Sequence, residues 1–185
     1  ATKAGPVDES RVKTMARSLE VFRHVLPQAA QDAASSVSDV VSEAVQNITD
    51  LFPKAAPYQD AIQGAQDKYG IPSNYLAKLL HAESSYDPAI ISGQRKSSAG
   101  AVGIAQFMPA TAAELGVNPT DPMSAIDGAG RYLSQLYAQF GNWPEAIAAY
   151  NWGSGNVSKK GLSKAPAETI NYVQKIAGVD ITKGV

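Results

Sequence analysis

Val37, Val40, Val41, Ala44, Val45, Ile48, Leu51 and Phe52 recur at helical spacing and predict an amphipathic helix with one apolar face. A shorter helix is expected before it, carrying Val12, Met15, Ala16, Leu19, Val21 and Phe22, with Pro27 between the two. Residues 7–52 contain neither glycine nor tryptophan. They read as a helical hairpin packed on the domain that follows. The alternative is an oligomerisation or membrane-surface helix, and the polar face lacks the Lys/Arg enrichment such membrane helices carry. Pro53 and Pro57 punctuate the boundary, and short helices broken by turns follow it. A helix over 58–69 ends at Gly70, and Ser73 is placed to cap the next one. That helix bears Tyr75, Leu76, Leu79, Leu80 and Glu83 and must stop before Pro88. Residues 89–105, rich in Gly, Ser and Ala, predict a loop or a small hairpin. Helices over 109–115, 122–140, 144–150 and 165–177 complete the pattern.

Composition narrows the classes. The chain has 185 residues, 44% hydrophobic and 18% charged, which is a globular balance with room for a sizeable core. Its net charge of −1 makes it a poor partner for nucleic acid, whose binding rests on neutralised phosphates. There is no cysteine, so disulfides, thiol catalysis and Cys-ligated zinc are excluded. His24 and His81 are the only histidines, too few for a multi-histidine metal site. No run of about 18 apolar residues is present to span a membrane. The opening residues, Ala1 to Pro6, carry no apolar signal core, so no leader is expected within this chain.

The candidate chemistry starts at Glu83. It follows Leu79 and Leu80 by one turn, on the apolar side of its helix. A carboxyl among apolar neighbours has its charged form disfavoured and its pKa raised. A protonated carboxyl at neutral pH is what general-acid cleavage of a glycosidic bond requires. A lone Glu near a helix end is otherwise a structural or solvated residue. Three further segments stand out. Gly100 to Pro109 sets small residues beside Gln106 and Met108, allowing close backbone approach next to an amide that both donates and accepts. Ala149-Tyr150-Asn151-Trp152-Gly153 joins an aromatic to an amide, a pairing suited to sugar rings. Glu168-Thr169-Ile170-Asn171-Tyr172-Val173 puts another tyrosine on the last helix. Taken singly, Met108, Tyr150 and Tyr172 read equally well as core.

In this order Glu83-Ser84, Gly103 to Pro109, Ala149 to Gly153 and Glu168 to Val173 resemble the motif series of the soluble lytic transglycosylases, the SLT domain of the lysozyme-like superfamily. The resemblance covers roughly residues 55 to 180, and its specificity lies in four motifs in order. It implies a mainly α, lysozyme-like (goose-type) domain over 56–180, with a small β element near 97–106. An N-terminal helical arm over 1–55 would precede it and a tail over 181–185 would follow. It implies peptidoglycan as substrate, cut between N-acetylmuramic acid and N-acetylglucosamine, outside the cytoplasm: in the periplasm, at the cell surface or from a phage virion. Glu83 falls at the position of the family's single catalytic acid/base. Ser84, Ser97, Gln106, Met108, Tyr150, Asn151 and Tyr172 fall at substrate-binding positions, with Ser98 the rival to Ser97. No metal and no cofactor is implied. Residues 7–52 are a candidate surface for protein assembly.

The sequence departs from the family pattern at Ala105, where methionine is usual, and at Trp152, where a small residue is usual. The stretch from Pro88 to Gly100 is a few residues long for the family. Most hydrolysing glycosidases need two carboxylates, and Asp87 is the nearest acid to Glu83 in sequence. Asp87 reads as a turn residue before Pro88. With one carboxyl, the expected product is a 1,6-anhydromuramoyl end. The alternatives are a goose-type lysozyme-like muramidase that uses Asp87 or a loop Asp to activate water, and a non-catalytic peptidoglycan-binding module of a virion or secretion apparatus.

Overall fold

A computed structural model of the chain describes residues 47–183. The helix expected over 12–22, and most of the one expected over 37–52, lie outside the described residues. Among the described residues there are nine helices: α1 (Ile48–Leu51), α2 (Gln59–Tyr69), α3 (Tyr75–Ser84), α4 (Pro88–Ile91), α5 (Pro109–Leu115), α6 (Pro122–Phe140), α7 (Trp143–Trp152), α8 (Ser154–Lys160) and α9 (Ala167–Ala177). Short 3-10 turns occupy Pro53–Tyr58, Leu162–Lys164 and Ile181–Lys183. The fold is mainly α, as the periodicity predicts. The short helices α4 and α8 and the 3-10 turns were not expected, because they are too brief for an apolar period to register.

Helix α6 is the central element, and its ends follow from sequence. Asp121 caps its start, its carboxylate accepting from Met123 N at 3.0 Å, and Pro122 occupies the first turn, where a missing N–H costs nothing. Ala125, Ile126, Ala129, Leu133 and Leu136 recur every three or four residues and are buried. That face packs against α2 on one side and α7 on the other. Gly130 sits in mid-helix at a cost in helix propensity. The reason is close approach: a Cβ there would come within 2.9 Å of the Tyr69 ring and 3.3 Å of the Ala65 Cβ, both on α2. At the margin of the same contact, the Tyr69 hydroxyl donates to Asp127 of α6 at 3.0 Å, and Lys68 pairs with that carboxylate at 2.7 Å.

The helix that carries Glu83 is anchored from behind. Leu76, Ala77, Leu79 and Leu80 of α3 are fully buried, and α9 packs along the same helix. The segment that enters from the N-terminal side joins this core: Ile48 and Ala55 are buried, and Phe52 stacks on His81 at 4.4 Å. Helix α3 stops at Ser85 and Tyr86, two successive non-glycine residues with left-handed backbone (φ 51° and 52°). Such a conformation persists only where the surroundings enforce it. Here Tyr86 is buried, its hydroxyl donates to Ala77 O at 2.8 Å, and its own N–H donates to Ser84 Oγ at 3.2 Å.

The small β element expected near 97–106 is a correction. Among the described residues there is no strand, only an isolated antiparallel bridge between Val102 and Phe107. Gly103 to Gln106 form a tight turn, with Gly103 at φ 80° and Gln106 at φ 49°. Just past the bridge the chain enters α5 at Pro109, which has no N–H to continue a ladder. Gly103 is required: a Cβ there would fall 1.7 Å from the Pro119 carbonyl oxygen.

Candidate active site

Glu83 lies in the last turn of α3, half-buried, one residue before the helix ends. Buried Leu79 and Leu80 precede it by one turn, so its carboxyl emerges where the apolar face of α3 runs out. Helix α9 crosses there and supplies Tyr172, whose phenol hydroxyl donates to Glu83 Oε1. Burial pushes the Glu83 pKa up to about 7; the Tyr172 bond opposes this and the negative charge of Glu168 adds to it. Burial, and then the charge of Glu83, hold the Tyr150 and Tyr172 hydroxyls well above the usual phenol range. Both phenols therefore stay protonated and able to donate at neutral pH.

Helix α7 brings Tyr150 and Asn151. Asn142 caps its start by accepting from Glu145 N at 2.9 Å, and buried Ala146, Ile147, Ala148 and Ala149 seat it against α6 and α9. The Tyr150 hydroxyl reaches across to the 103–107 turn and donates to Ala105 O at 3.2 Å. Its ring packs against Tyr132 and Phe107, with centroids 5.4 and 6.2 Å apart. Asn151 Oδ1 accepts from Thr169 Oγ1 at 2.7 Å. Thr169 and Tyr172 lie three residues apart on one face of α9, so one turn of that helix holds both Asn151 and Glu83. Thr169 stands inside a motif visible in the sequence, and the only signal that could have found it is its i, i+3 register with Tyr172.

The other sequence-expected site residues are bonded locally. Ser84 is buried, donating to Leu80 O at 3.0 Å and accepting from Tyr86 N, so its hydroxyl serves the end of α3. Ser97 Oγ accepts from Ala101 N at 2.9 Å and stabilises the loop before the bridge. Gln106 Nε2 donates to Gly103 O at 2.9 Å, within its own turn. Met108 precedes α5 and is 42% exposed, one of few large apolar side chains so placed. Asp87 caps α4: its Oδ1 accepts from Ala89 N and its Oδ2 from Arg95, at 2.8 and 2.7 Å. The Ala89 bond leads in holding its pKa below the usual carboxylate range. Trp152 ends α7 with Lys160 Nζ 5.3 Å from its ring centroid. Among the described residues no cluster of three His, Asp or Glu side chains is arranged to hold a metal ion.

The chain is similar to several known proteins. It is 33% identical over 126 residues to the transglycosylase of Enterobacteria phage PRD1, covering 67% of this chain and 46% of that one. It is 31% identical to the peptidoglycan transglycosylase of Escherichia phage T7 (70% of this chain, 11% of that one). It is 32% identical to the membrane-bound lytic murein transglycosylase D of Escherichia coli K12 (72% and 33%). The chain thus spans less than half the length of these relatives. Among solved structures, the 70 kDa soluble lytic transglycosylase of Escherichia coli superposes with a TM-score of 0.57 at 25% identity, over 87% of this chain and 28% of that one. Residues 60–173, which include Glu83, Tyr150, Asn151, Thr169 and Tyr172, match the Transglycosylase SLT domain, and the chain belongs to that family.

Proposed function

We propose that the chain is a peptidoglycan lytic transglycosylase in which Glu83 alone serves as acid and base. The observation that carries this reading is the Glu83 carboxyl itself: half-buried, held near a pKa of 7 and hydrogen-bonded by a phenol that cannot take its proton. A group poised near the working pH can both give and recover a proton. Protonated Glu83 donates to the bridging oxygen between N-acetylmuramic acid and N-acetylglucosamine, and the C1–O bond breaks. The muramoyl acetamido oxygen stabilises C1. Ionised Glu83 then takes the proton of the C6 hydroxyl, whose oxygen bonds to C1. The product is a 1,6-anhydromuramoyl end, no water is consumed, and Glu83 is again protonated.

Asn151 and Tyr150 are the residues we assign to the acetamido group, with Gln106 and Met108 on the side of the 103–107 turn and Tyr172 on the acid itself. Ser97 belongs to this set as a support of the loop, and Ser84 as a support of the helix end. The two lone-pair engagements of Asp87 weigh against its activating a water. The burial of Ile48 and Ala55 in the core, and of Ile181, supports a catalytic unit that begins upstream of residue 56 and runs past residue 180. Its site of action on this reading is the cell wall, reached from the periplasm, the cell surface or a phage particle; the peptidoglycan and murein in its relatives' names support the cell wall as target. Among the described residues no helix is long and apolar enough to cross a membrane.

The test is mass analysis of the fragments released from purified sacculi. Anhydro ends, lighter by one water than reducing ends, are the expected product. Reducing ends identify a muramidase. No release at any enzyme concentration identifies a binding module.

A further inference from the structure

We propose that Thr169 is a positioning residue, which fixes the orientation of the Asn151 side-chain amide and so holds its N–H donors toward the carbonyl oxygen of an N-acetylated sugar. The inference rests on reading the site as a glycan cleft, and it adds to that reading a residue and a reason.

An asparagine amide offers an acceptor on one side and two donors on the other, and turning it over exchanges them. In this site the acceptor side is taken. Asn151 Oδ1 accepts from Thr169 Oγ1 at 2.7 Å, and Thr169 is 1% exposed. Water therefore cannot replace the contact. Turning the amide over would face the hydroxyl with Nδ2, and the Thr169 O–H would lose the only acceptor it has among the described residues. A buried donor without a partner is costly, so the observed orientation is favoured. Asn151 Nδ2 has no partner among the described residues, and Asn151 is only half-buried. What remains presented is a pair of N–H donors, which suits a carbonyl oxygen and rejects a cation or a second donor. Threonine's branched Cβ restricts its rotamers, and its place in the first turn of α9 ties this orientation to the helix that also carries Tyr172. The acid and the amide are thus set by one rigid element.

The test is a double-mutant cycle read by two measurements on the full chain: binding of an N-acetylglucosamine tetramer, and cleavage of purified sacculi. Thr169→Val keeps the shape and removes the donor. It is expected to weaken binding and lower kcat/KM by roughly five- to tenfold, the effect of one neutral hydrogen bond. Thr169→Ser keeps the donor and is expected to stay within about twofold of wild type. In an Asn151→Ala background, Thr169→Val is expected to change either quantity by less than about twofold, because nothing is left to orient. An equal factor in both backgrounds, or no effect of Thr169→Val in the wild-type background, overturns the inference. If Thr169→Val does not fold, Thr169→Ala, which also removes the donor, takes its place in the same cycle. A loss confined to the Asn151 background supports the inference; an equal factor in both backgrounds, or no loss, overturns it. A wild-type chain that binds the tetramer with the cycle intact but cleaves nothing defeats the transglycosylase reading and leaves this one standing. A chain that does not bind the tetramer defeats this one.

Discussion

Tyr172 and Glu83 lie 89 residues apart in the chain and meet in a hydrogen bond in which the phenol hydroxyl donates to Oε1 of the carboxyl. Two influences on one proton are opposed there. Burial favours the neutral acid, and the phenol favours the carboxylate. Their balance, near 7, is what a single group needs if it is to act first as an acid and then as a base. The packing of α9 on α3 brings this donor to the acid at the C-terminal end of α3.

Removing the donor tests this balance. Tyr172→Phe takes away the influence that lowers the Glu83 pKa, so that pKa rises further. The alkaline limb of the activity profile is then expected to move to higher pH. Activity at the optimum falls by roughly ten- to a hundredfold, reflecting one hydrogen bond to a charged group. A pH–rate profile of the variant checks both; a limb that stays in place or moves down detaches Tyr172 from Glu83.

Glu83→Gln keeps size and hydrogen bonding but cannot cycle a proton, and a loss of roughly 100- to 10,000-fold in sacculus cleavage is expected. The same variant reports on stability. The folded pKa of Glu83, about 7, lies above its ordinary 4.5, so the fold retains a proton that the unfolded chain releases. At pH values below 4.5 both states are protonated and nothing is lost. Between there and about pH 7 the wild type loses stability, by about 3 kcal/mol in total, and above that the loss is constant. Glutamine has no such dependence. Relative to wild type, the variant is expected to gain about that amount between acid and mildly alkaline buffer, measured by urea unfolding at both. A difference that does not change with pH refutes the raised pKa.

Much of this was legible in the sequence. The helix over 122–140 was readable to the residue, because Asp121-Pro122 starts it, Gly141 ends it and its apolar stripe is continuous. Glu83 was readable as a carboxyl at the edge of an apolar face. Three things were not. The family resemblance puts Tyr172 near Glu83, but the bond from its hydroxyl to Oε1 depends on the crossing of α3 and α9, which no local pattern encodes. The bond between Thr169 and Asn151 depends on the packing of α7 on α9. Ser84 looked like part of a binding pair, yet its hydroxyl is spent on Leu80 O and Tyr86 N because α3 ends in a left-handed turn. Backbone of that kind at Ser85 and Tyr86 is invisible in residues that normally avoid it.

The N-terminal limit of the folded unit gives a further prediction. Ile48 is buried, and Phe52 stacks on His81 behind the helix that carries Glu83. A chain beginning at residue 47 is expected to fold and cleave as the full chain does. Ile48→Ala in that shorter chain is expected to cost about 2–5 kcal/mol, as for other buried large-to-small changes. Thermal and urea unfolding of the two chains check this. A neutral Ile48→Ala would move the limit of the unit downstream, toward Pro53.

Asp87 decides between one carboxylate and two. Its Oδ1 accepts from Ala89 N and its Oδ2 from the Arg95 guanidinium, so both oxygens are committed to the start of α4. Asn is as good a helix cap as Asp and can still accept from Ala89 N. Asp87→Asn therefore loses chiefly the pair with Arg95. That pair lies at the surface, where Arg95 is 60% exposed, so its loss costs little. For a transglycosylase the variant is expected to keep activity within about tenfold of wild type and to release the same anhydro ends. For a hydrolase in which Asp87 activates water, the same change removes the base, and activity falls by far more than about tenfold. Rate alone is ambiguous, because a damaged turn at Ser85 and Tyr86 could displace Glu83 and slow a one-carboxylate enzyme as well. Product identity removes the ambiguity. Anhydro ends from both wild type and Asp87→Asn, at comparable rates, leave Glu83 as the only carboxylate in the reaction. Reducing ends from wild type, together with an inactive but folded Asp87→Asn, would sink that mechanism and assign the second role to Asp87.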